Sequence, residues 1–275
     1  MALLDLAEIA RLEERRQAVG VAEVADEAEP IAGGTMCFAG LGSWANQAMG
    51  LAMGEGTGAP DDGAVDDAEL DRLTAFYESR GAEPRIEVCP FAHPSLIDGL
   101  ARRGFTLKEF VGVLARDLRS LDLPVIHVPG LEIVRLEPDD PEHARACLEI
   151  KVAGFGVEDR AMFERLERRI WSHPGCLTLL GKIDREFVAA GSLEVRAPAG
   201  ALIGMSTLEG YRKRGVQQAM TIARLERLSE RGCAFACVQS SPMVATGRNA
   251  LRLGFHPAYT KAVLTRPGEG LAPSP

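Results

Sequence analysis

The residues best suited to chemistry lie between Thr207 and Ala219, in the run TLEGYRKRGVQQA. Arg212, Lys213 and Arg214 supply three positive charges in succession, and Gly215 follows them. A helical pattern starts at Val216. A helix N-terminus carries unpaired backbone N–H groups and a partial positive charge, so a basic turn feeding one is suited to holding a phosphate. Glycine in such a turn lets the backbone come close to a ligand.

The surrounding pattern says how this turn is positioned. Ala201–Thr207 reads as a strand leading into it, and Val216–Glu230 as the helix leaving it. That helix has apolar residues at steps of three and four that give one broad buried face. Before the strand, the sequence predicts a strand at Leu131–Leu136, helices at Pro141–Val152 and Arg160–Trp171, and a hairpin of Cys176–Lys182 with Phe187–Val195 around Asp184-Arg185. After the helix it predicts a strand at Ala234–Gln239, a helix at Ala245–Leu253 and a strand at Ala258–Thr265. Strands grouped before a long helix, with mixed connections, indicate an α/β or α+β layered sheet.

The bulk properties narrow the function. A chain of 275 residues holds one large or two ordinary domains. Its net charge of −8 argues against general attraction to nucleic acid or anionic membrane, so three clustered cations point to a local ligand. Aromatic residues make up only 5%, too few for a stacking platform along single-stranded nucleic acid. Cys37, Cys89, Cys147, Cys176, Cys233 and Cys237 form no Cys-x-x-Cys pair, and the histidines show no metal spacing, so no metal is expected. Reduced, buried cysteines suit a cytoplasmic protein. The N-terminus MALLDLAEIARLEERRQ reads as a helix start rather than a secretion signal, and no apolar run approaches the length of a membrane span.

The chain also repeats itself. Arg102-Arg103-Gly104-Phe105 matches Arg252-Leu253-Gly254-Phe255, and Val113-Leu114-Ala115-Arg116 matches Val263-Leu264-Thr265-Arg266, both at an offset of 150. Val88 and Val238 keep that offset, while Arg80-Gly81 and Arg231-Gly232 match at 151. This is too long for a solenoid repeat and fits two copies of one domain. The expected division is residues 1–120, a linker at 121–130 containing two prolines, residues 131–268, and a flexible tail at 269–275. Gly54–Asp67 reads as a loop.

The order of elements, with the basic turn after the fourth strand, resembles the GCN5-related N-acetyltransferase superfamily. Its Gln/Arg-x-x-Gly-x-Gly/Ala motif corresponds to Arg212-Lys213-Arg214-Gly215-Val216-Gln217, and Leu253-Gly254-Phe255 looks like the family's later surroundings. The resemblance covers residues 131–266. With the repeat it implies two tandem domains, each a mixed, mainly antiparallel sheet flanked by helices, the first of them diverged. It further implies that backbone groups of Met205, Ser206 and Thr207 bond the pantetheine arm of acetyl-CoA. Amides from Lys213 through Arg214, Gly215, Val216, Gln217 and Gln218 would surround the pyrophosphate.

Two positions depart from the family pattern. Gln217 stands where Gly or Ala is usual; turned away from the ligand it leaves the amides usable, and turned inward it blocks them. Ala250 stands where a tyrosine often protonates the leaving thiolate, and its neighbour Asn249 is a hydrogen-bond donor but a poor acid. In the first half the turn aligns near Asp61-Asp62-Gly63-Ala64, where two carboxylates would repel a pyrophosphate, so no CoA is expected there. The glycines Gly54, Gly56 and Gly58 lack the Lys and Ser/Thr of a phosphate loop.

Acetyl transfer to an amine needs a neutral amine, a polarised thioester carbonyl and a protonated thiolate. Glu194, on the third strand of the second half, is the candidate to face the acceptor, with solvated or ion-paired carboxylate as its alternative reading; Asn249 is the candidate near the thioester. The leading expectation is transfer of an acetyl group from acetyl-CoA to the amine of a small molecule, with neither nucleic acid nor membrane as partner and a homodimer admitted. The alternatives are a non-catalytic acyl-CoA sensor, motivated by Gln217 and Ala250, and a nucleic-acid binder using Arg212–Arg214 with Arg224, Arg227 and Arg231, against which the net charge counts.

Overall fold

The computed structural model describes residues 5–57, 59–241 and 244–274. Gly58, the last glycine of the Gly54–Gly58 run, lies outside them, as do Met1–Leu4 at the start of the expected first helix. The chain divides into two units, Met1–Val113 with Pro257–Pro275, and Leu114–His256.

In the first unit α1 (Leu6–Val24) precedes β1 (Glu27–Ile31), β2 (Gly34–Phe38) and β3 (Gln47–Met49). There follow α2 (Asp67–Glu78), β4 (Arg85–Val88), α3 (Pro94–Arg102) and β5 (Thr106–Asp117), whose last residues belong to the second unit. The second unit continues with β6 (Glu132–Arg135), α4 (Pro141–Phe155), α5 (Arg160–Ser172), β7 (Cys176–Ile183), β8 (Glu186–Arg196) and β9 (Ala199–Thr207). Then come α6 (Val216–Glu230), β10 (Phe235–Ser240) and α7 (Ala245–Arg252), and the chain returns to the first unit in β11 (His256–Thr265).

Each unit is a mixed, mainly antiparallel sheet flanked by helices. Strand order is β1-β2-β3-β4-β11 in the first and β10-β9-β8-β7-β6 in the second. The parallel neighbours are β3 with β4 and β9 with β10, each pair joined through a long helix; β1 with β2, β4 with β11, and β7 with both β6 and β8 run antiparallel. The predicted elements of the second half all appear, with ends displaced by up to three residues, and Val216–Glu230 is reproduced as written.

The repeated residues share geometry as well as sequence. Gly81 and Gly232 have φ of 70° and 80°, and Gly104 and Gly254 have φ of 78° and 77°, the left-handed conformation that ends a helix without a Cβ penalty. Phe105 N donates to Leu100 O at 3.1 Å, as Phe255 N does to Ala250 O at the same distance. The strands that follow are placed differently from the boundary drawn on the repeat. Thr265 pairs with Arg85 and Ala262 with Val88, which puts β11 in the first unit, whereas Leu118 N, just beyond β5, donates to Ala234 O in the second. The tail after Pro267 is hydrogen-bonded: Ala272 N donates to Gly81 O at 2.7 Å and Glu83 N to Ala272 O at 2.9 Å, a docking for which the sequence carries no sign.

Apolar packing in the second unit centres on one face of α6. Val216, Met220, Leu225 and Leu228 are buried with Leu193 of β8, Leu202 of β9 and Phe255. Full burial of one such side chain stabilises by roughly 1.5–3 kcal/mol, so this seam fixes α6 against the sheet. The helix α4 is seated by its cap, Asp140 accepting from Glu142 N at 2.8 Å with Pro141 at the first position, and by Gly154, where a Cβ would lie 1.9 Å from Ser206 Oγ.

Candidate functional site

The parallel pair β9–β10 is joined only at Ala199 with Phe235, Gly200 with Ala236 and Ala201 with Cys237. Beyond these residues the strand pairing stops, so among the described residues Leu202–Thr207 are paired as a strand on the β8 side alone. The parting coincides with a bulge. Ala190 and Ser192 of β8 pair with Ser206 and Ile203, so β9 advances three residues against two, and Gly204 adopts a φ of 55°. A Cβ on Gly204 would lie 2.9 Å from Lys151 Nζ, an ammonium wholly buried and held by Glu167 Oε2 at 2.6 Å and Ser192 Oγ at 3.0 Å.

The strand ends in the basic turn. A short 3-10 turn at Glu209–Tyr211 is tied to β8 by the Tyr211 hydroxyl, which donates to Glu186 at 2.8 Å, and Arg212 Nε donates to Thr207 O at 3.0 Å. Lys213 and Gly215 both take positive φ, 61° and 86°, the curl of a backbone anion-binding turn. A Cβ on Gly215 would meet Ile126 and Val128 at 3.3 Å each, so here the bare glycine accommodates the segment between Leu121 and Gly130. Gly215 caps α6 without any side chain bonding the helix amides, and among the described residues the N–H groups of Lys213 to Gln218 meet no acceptor. Ala219 N, donating to Gly215 O at 3.0 Å, is the first that does. Thr207 Oγ1, at the strand's end, is buried without a hydrogen-bond partner among the described residues.

Where β9 and β10 part, a cavity of about 190 Å³ opens, lined from β9 by Leu202 and Met205, from α6 by Gln217, Thr221 and Arg224, and from α7 by Asn249 and Ala250. Phe155, half exposed at the end of α4, borders it too. Gln217 turns across this space: its Oε1 accepts from Asn249 Nδ2 at 2.6 Å, linking the first turn of α6 to α7.

The first unit treats the corresponding turn differently. The start of α2 is closed by its own carboxylates: Asp66 accepts from Glu69 N at 2.8 Å, and Glu69 reaches back to Asp66 N at 3.4 Å. Asp62 accepts from Glu55 N at 2.7 Å and Thr57 N at 2.8 Å, bonds that hold its carboxyl below the usual range.

The whole chain can be superposed on solved proteins. A GCN5-related N-acetyltransferase from Kribbella flavida matches at a TM-score of 0.71 and 18% identity, over 98% of this chain and 99% of that one. The chain folds as a GCN5-related N-acetyltransferase. A tandem protein of this fold from the clavulanic acid biosynthesis pathway matches at 0.55 and 15% identity, over 78% of this chain and 73% of that one. A third, from Sphaerobacter thermophilus, matches at 0.55 and 17%, over 70% and 64%. No sequence family and no curated protein matches the chain.

Within this acetyltransferase fold the residues singled out in the sequence fall into three groups. Met205, Gln217 and Asn249 line the cavity, while Lys213, Arg214, Gly215, Val216 and Gln218 form the turn and first helical residues beside it. Ser206 turns the other way, its hydroxyl donating to Ile150 O at 2.9 Å. Glu194 is not among the cavity residues; it is 5% exposed on β8 and accepts from Arg196 at 2.6 Å. Arg224 and Thr221 were not singled out for the ligand, although the signal was present. Val216, Met220, Arg224 and Leu228 are spaced by fours, so an arginine sits within the apolar stripe of α6. Among the described residues no cluster of His, Cys, Asp or Glu is arranged for a metal, and no helix is long and apolar enough to cross a membrane.

Proposed function

We propose that the second unit is an acyl-CoA-dependent N-acyltransferase, with acetyl-CoA as donor and the amine of a small molecule as acceptor. The observation that carries this is the continuity of three features: unsatisfied amides at the start of α6, the unpaired edge of β9 from Leu202 to Thr207, and the cavity between β9 and β10. An anionic pyrophosphate suits the first, an extended amide-bearing arm suits the second, and a thioester suits the third.

Transfer would form a C–N bond and break the C–S bond, the amine losing a proton and the thiolate gaining one. Of the cavity residues only Arg224 is titratable, and Ala250 offers no hydroxyl. Both proton movements therefore fall to water, and rate comes from holding the reactants together and polarising the carbonyl. That lack of an acid favours, as a second reading, a protein that binds acyl-CoA without turning it over. The first unit is read as a scaffold without CoA, because Asp66 and Glu69 close the start of α2 on itself and the aligned turn carries Asp61 and Asp62 in place of cations.

Calorimetric titration with CoA and acetyl-CoA, followed by thiol release in a panel of small amines, separates these readings. Tight binding with release supports the enzyme. Binding with no release from any amine supports the second reading, and no binding of either cofactor at millimolar concentration removes both.

A further inference from the structure

Five cationic side chains are buried among the described residues: Arg16, Arg85, Lys151, Arg224 and Lys261. Four of them face a carboxylate, Arg16 with Glu13 at 2.7 Å, Arg85 with Glu109 at 3.1 Å, Lys151 with Glu167 at 2.6 Å and Lys261 with Glu14 at 2.8 Å. Arg224 differs. It is 2% exposed, and its acceptors are all neutral: Ser192 O at 3.1 Å, Met220 O at 3.2 Å and Thr221 Oγ1 at 3.3 Å. A guanidinium has five N–H groups, so these three bonds leave two donors over. Burial without a neighbouring acid pushes the group down to about 10, which still leaves it charged at neutral pH.

The surroundings are shaped for this charge. Gly191 of β8 makes room for it, since a Cβ there would lie 3.2 Å from the guanidinium carbon. Arg224 also lines the cavity, whose other walls are apolar or neutral amides and hydroxyls: Leu202, Met205, Val238, Gln239, Thr246 and Asn249. A buried charge is costly unless paired, and the other buried cations follow that rule within the chain. Among the described residues no carboxylate pairs with Arg224, and the cavity it lines is where a counter-ion could be held.

We propose that Arg224 makes this cavity a receptor for a carboxylate, carried by one of the two reactants. The proposal rests on the acyl-CoA reading above. The carboxylate is either the far end of a dicarboxylic acyl group on CoA or the acid group of an amino-acid acceptor. A planar guanidinium with two spare N–H groups matches the two oxygens of a carboxylate. No atom is transferred to Arg224; it fixes the charged end while the thioester stays at the β9 bulge.

The test compares ligands on the intact protein by calorimetry. CoA, acetyl-CoA, malonyl-CoA, succinyl-CoA and glutaryl-CoA are titrated first. Alanine and alaninamide, and glutamate and its α-amide, are then titrated into CoA-saturated protein. A donor carboxylate is indicated when one of the three acidic acyl-CoAs binds at least tenfold tighter than acetyl-CoA. An acceptor carboxylate is indicated when an acid binds at least tenfold tighter than its amide. In either case the preference should fall to near unity in Arg224→Met and persist in part in Arg224→Lys, with CoA affinity unchanged. CoA binding without charge preference in either arm overturns the carboxylate site and leaves the acyl-CoA reading intact. If CoA itself does not bind, the acyl-CoA reading falls, and titration with succinate alone decides the carboxylate site: retention that depends on Arg224 keeps it, and no binding ends it. The ligand comparison is made in the wild-type protein, so it stands even if Arg224→Met fails to fold.

Discussion

Asn249 donates its amide to Gln217 Oε1 at 2.6 Å, and this single bond ties the start of α6 to α7 beside the space where β9 and β10 part. Gln217 stands where the acetyltransferase pattern has a residue with little or no side chain. Its backbone N–H is left open, so the amide turn survives, but its side chain occupies the cavity wall.

Gln217→Ala should therefore tighten CoA binding. A partly buried amide–amide bond contributes about 1 kcal/mol net, and removing the need to break it corresponds to about fivefold in Kd. Asn249→Ala should give a smaller gain, because the longer Gln217 side chain remains. Titration calorimetry reads both. Weaker binding in Gln217→Ala would instead mean that the side chain contacts the cofactor.

Arg214 is exposed beside the open amides, its guanidinium carbon 5.4 Å from the centre of the Tyr211 ring. Replacing it by alanine should weaken CoA binding about threefold to fivefold at low salt, the size of an exposed charge contact, and less at 0.5 M salt, where screening has already removed most of that attraction. Arg212→Ala should act in the same direction and also free the Thr207 carbonyl. A loss that does not change with salt would assign the arginines to holding the turn rather than attracting phosphate.

The turn was legible because its signals are local: a run of cations, one glycine, and the 3.6-residue period of α6. The strand exchange was not. Leu264 of β11 and Leu114 of β5 are equivalent in the repeat, and nothing in either strand's alternation of side chains says which sheet it joins. Pairing partners of strands are chosen by contacts distant in sequence, so the repeat located both strands but not their neighbours. Arg224 was visible as an arginine in an apolar stripe, but its lack of a carboxylate depends on what β8 brings beside it. Glu194 admits in sequence both a cleft carboxylate and a solvated or ion-paired one, and placement beside Arg196 selects the ion pair.

Lys261 lies fully buried in the first unit between Glu14 Oε1 at 2.8 Å and Glu87 Oε2 at 3.0 Å. Lys261→Met leaves two buried carboxylates without their cation and should cost about 3–5 kcal/mol in urea denaturation. Burial holds the Glu14 carboxyl above its ordinary value of 4.5 despite Lys261 and the Tyr259 hydroxyl, and Oε2 of Glu14 has no partner. A carboxyl raised on folding binds its proton more tightly in the native state. Its contribution is fully present below 4.5 and is lost as pH rises toward the folded value. Glu14→Gln removes that dependence, so its stability relative to the wild type should rise with pH above 4.5. A difference that stays constant from pH 4 to 7 would show that Glu14 does not titrate in the fold.

Arg224 offers a test of what an unpaired buried charge costs. Its guanidinium is lowered to about 10 on folding because burial disfavours the charged form. The unfolded chain therefore binds that proton more tightly. The cost is fully present at neutral pH and is relieved only as pH rises above about 10 toward the ordinary guanidinium value, so stability should increase over that window. At 1.36 kcal/mol for each pH unit, the cost is on the order of 3 kcal/mol. Arg224→Met keeps the apolar stem and removes the charge, while giving up three hydrogen bonds to neutral acceptors, each worth roughly 1 kcal/mol. The two effects nearly cancel. The ligand-free variant should melt within a few degrees of the wild type instead of losing the roughly 2–5 kcal/mol typical of cutting back a buried side chain. With a ligand that pairs the charge, the wild type should gain melting temperature that the variant does not. A large loss of stability in the ligand-free variant would mean that Arg224 is chiefly a brace between α6 and β8.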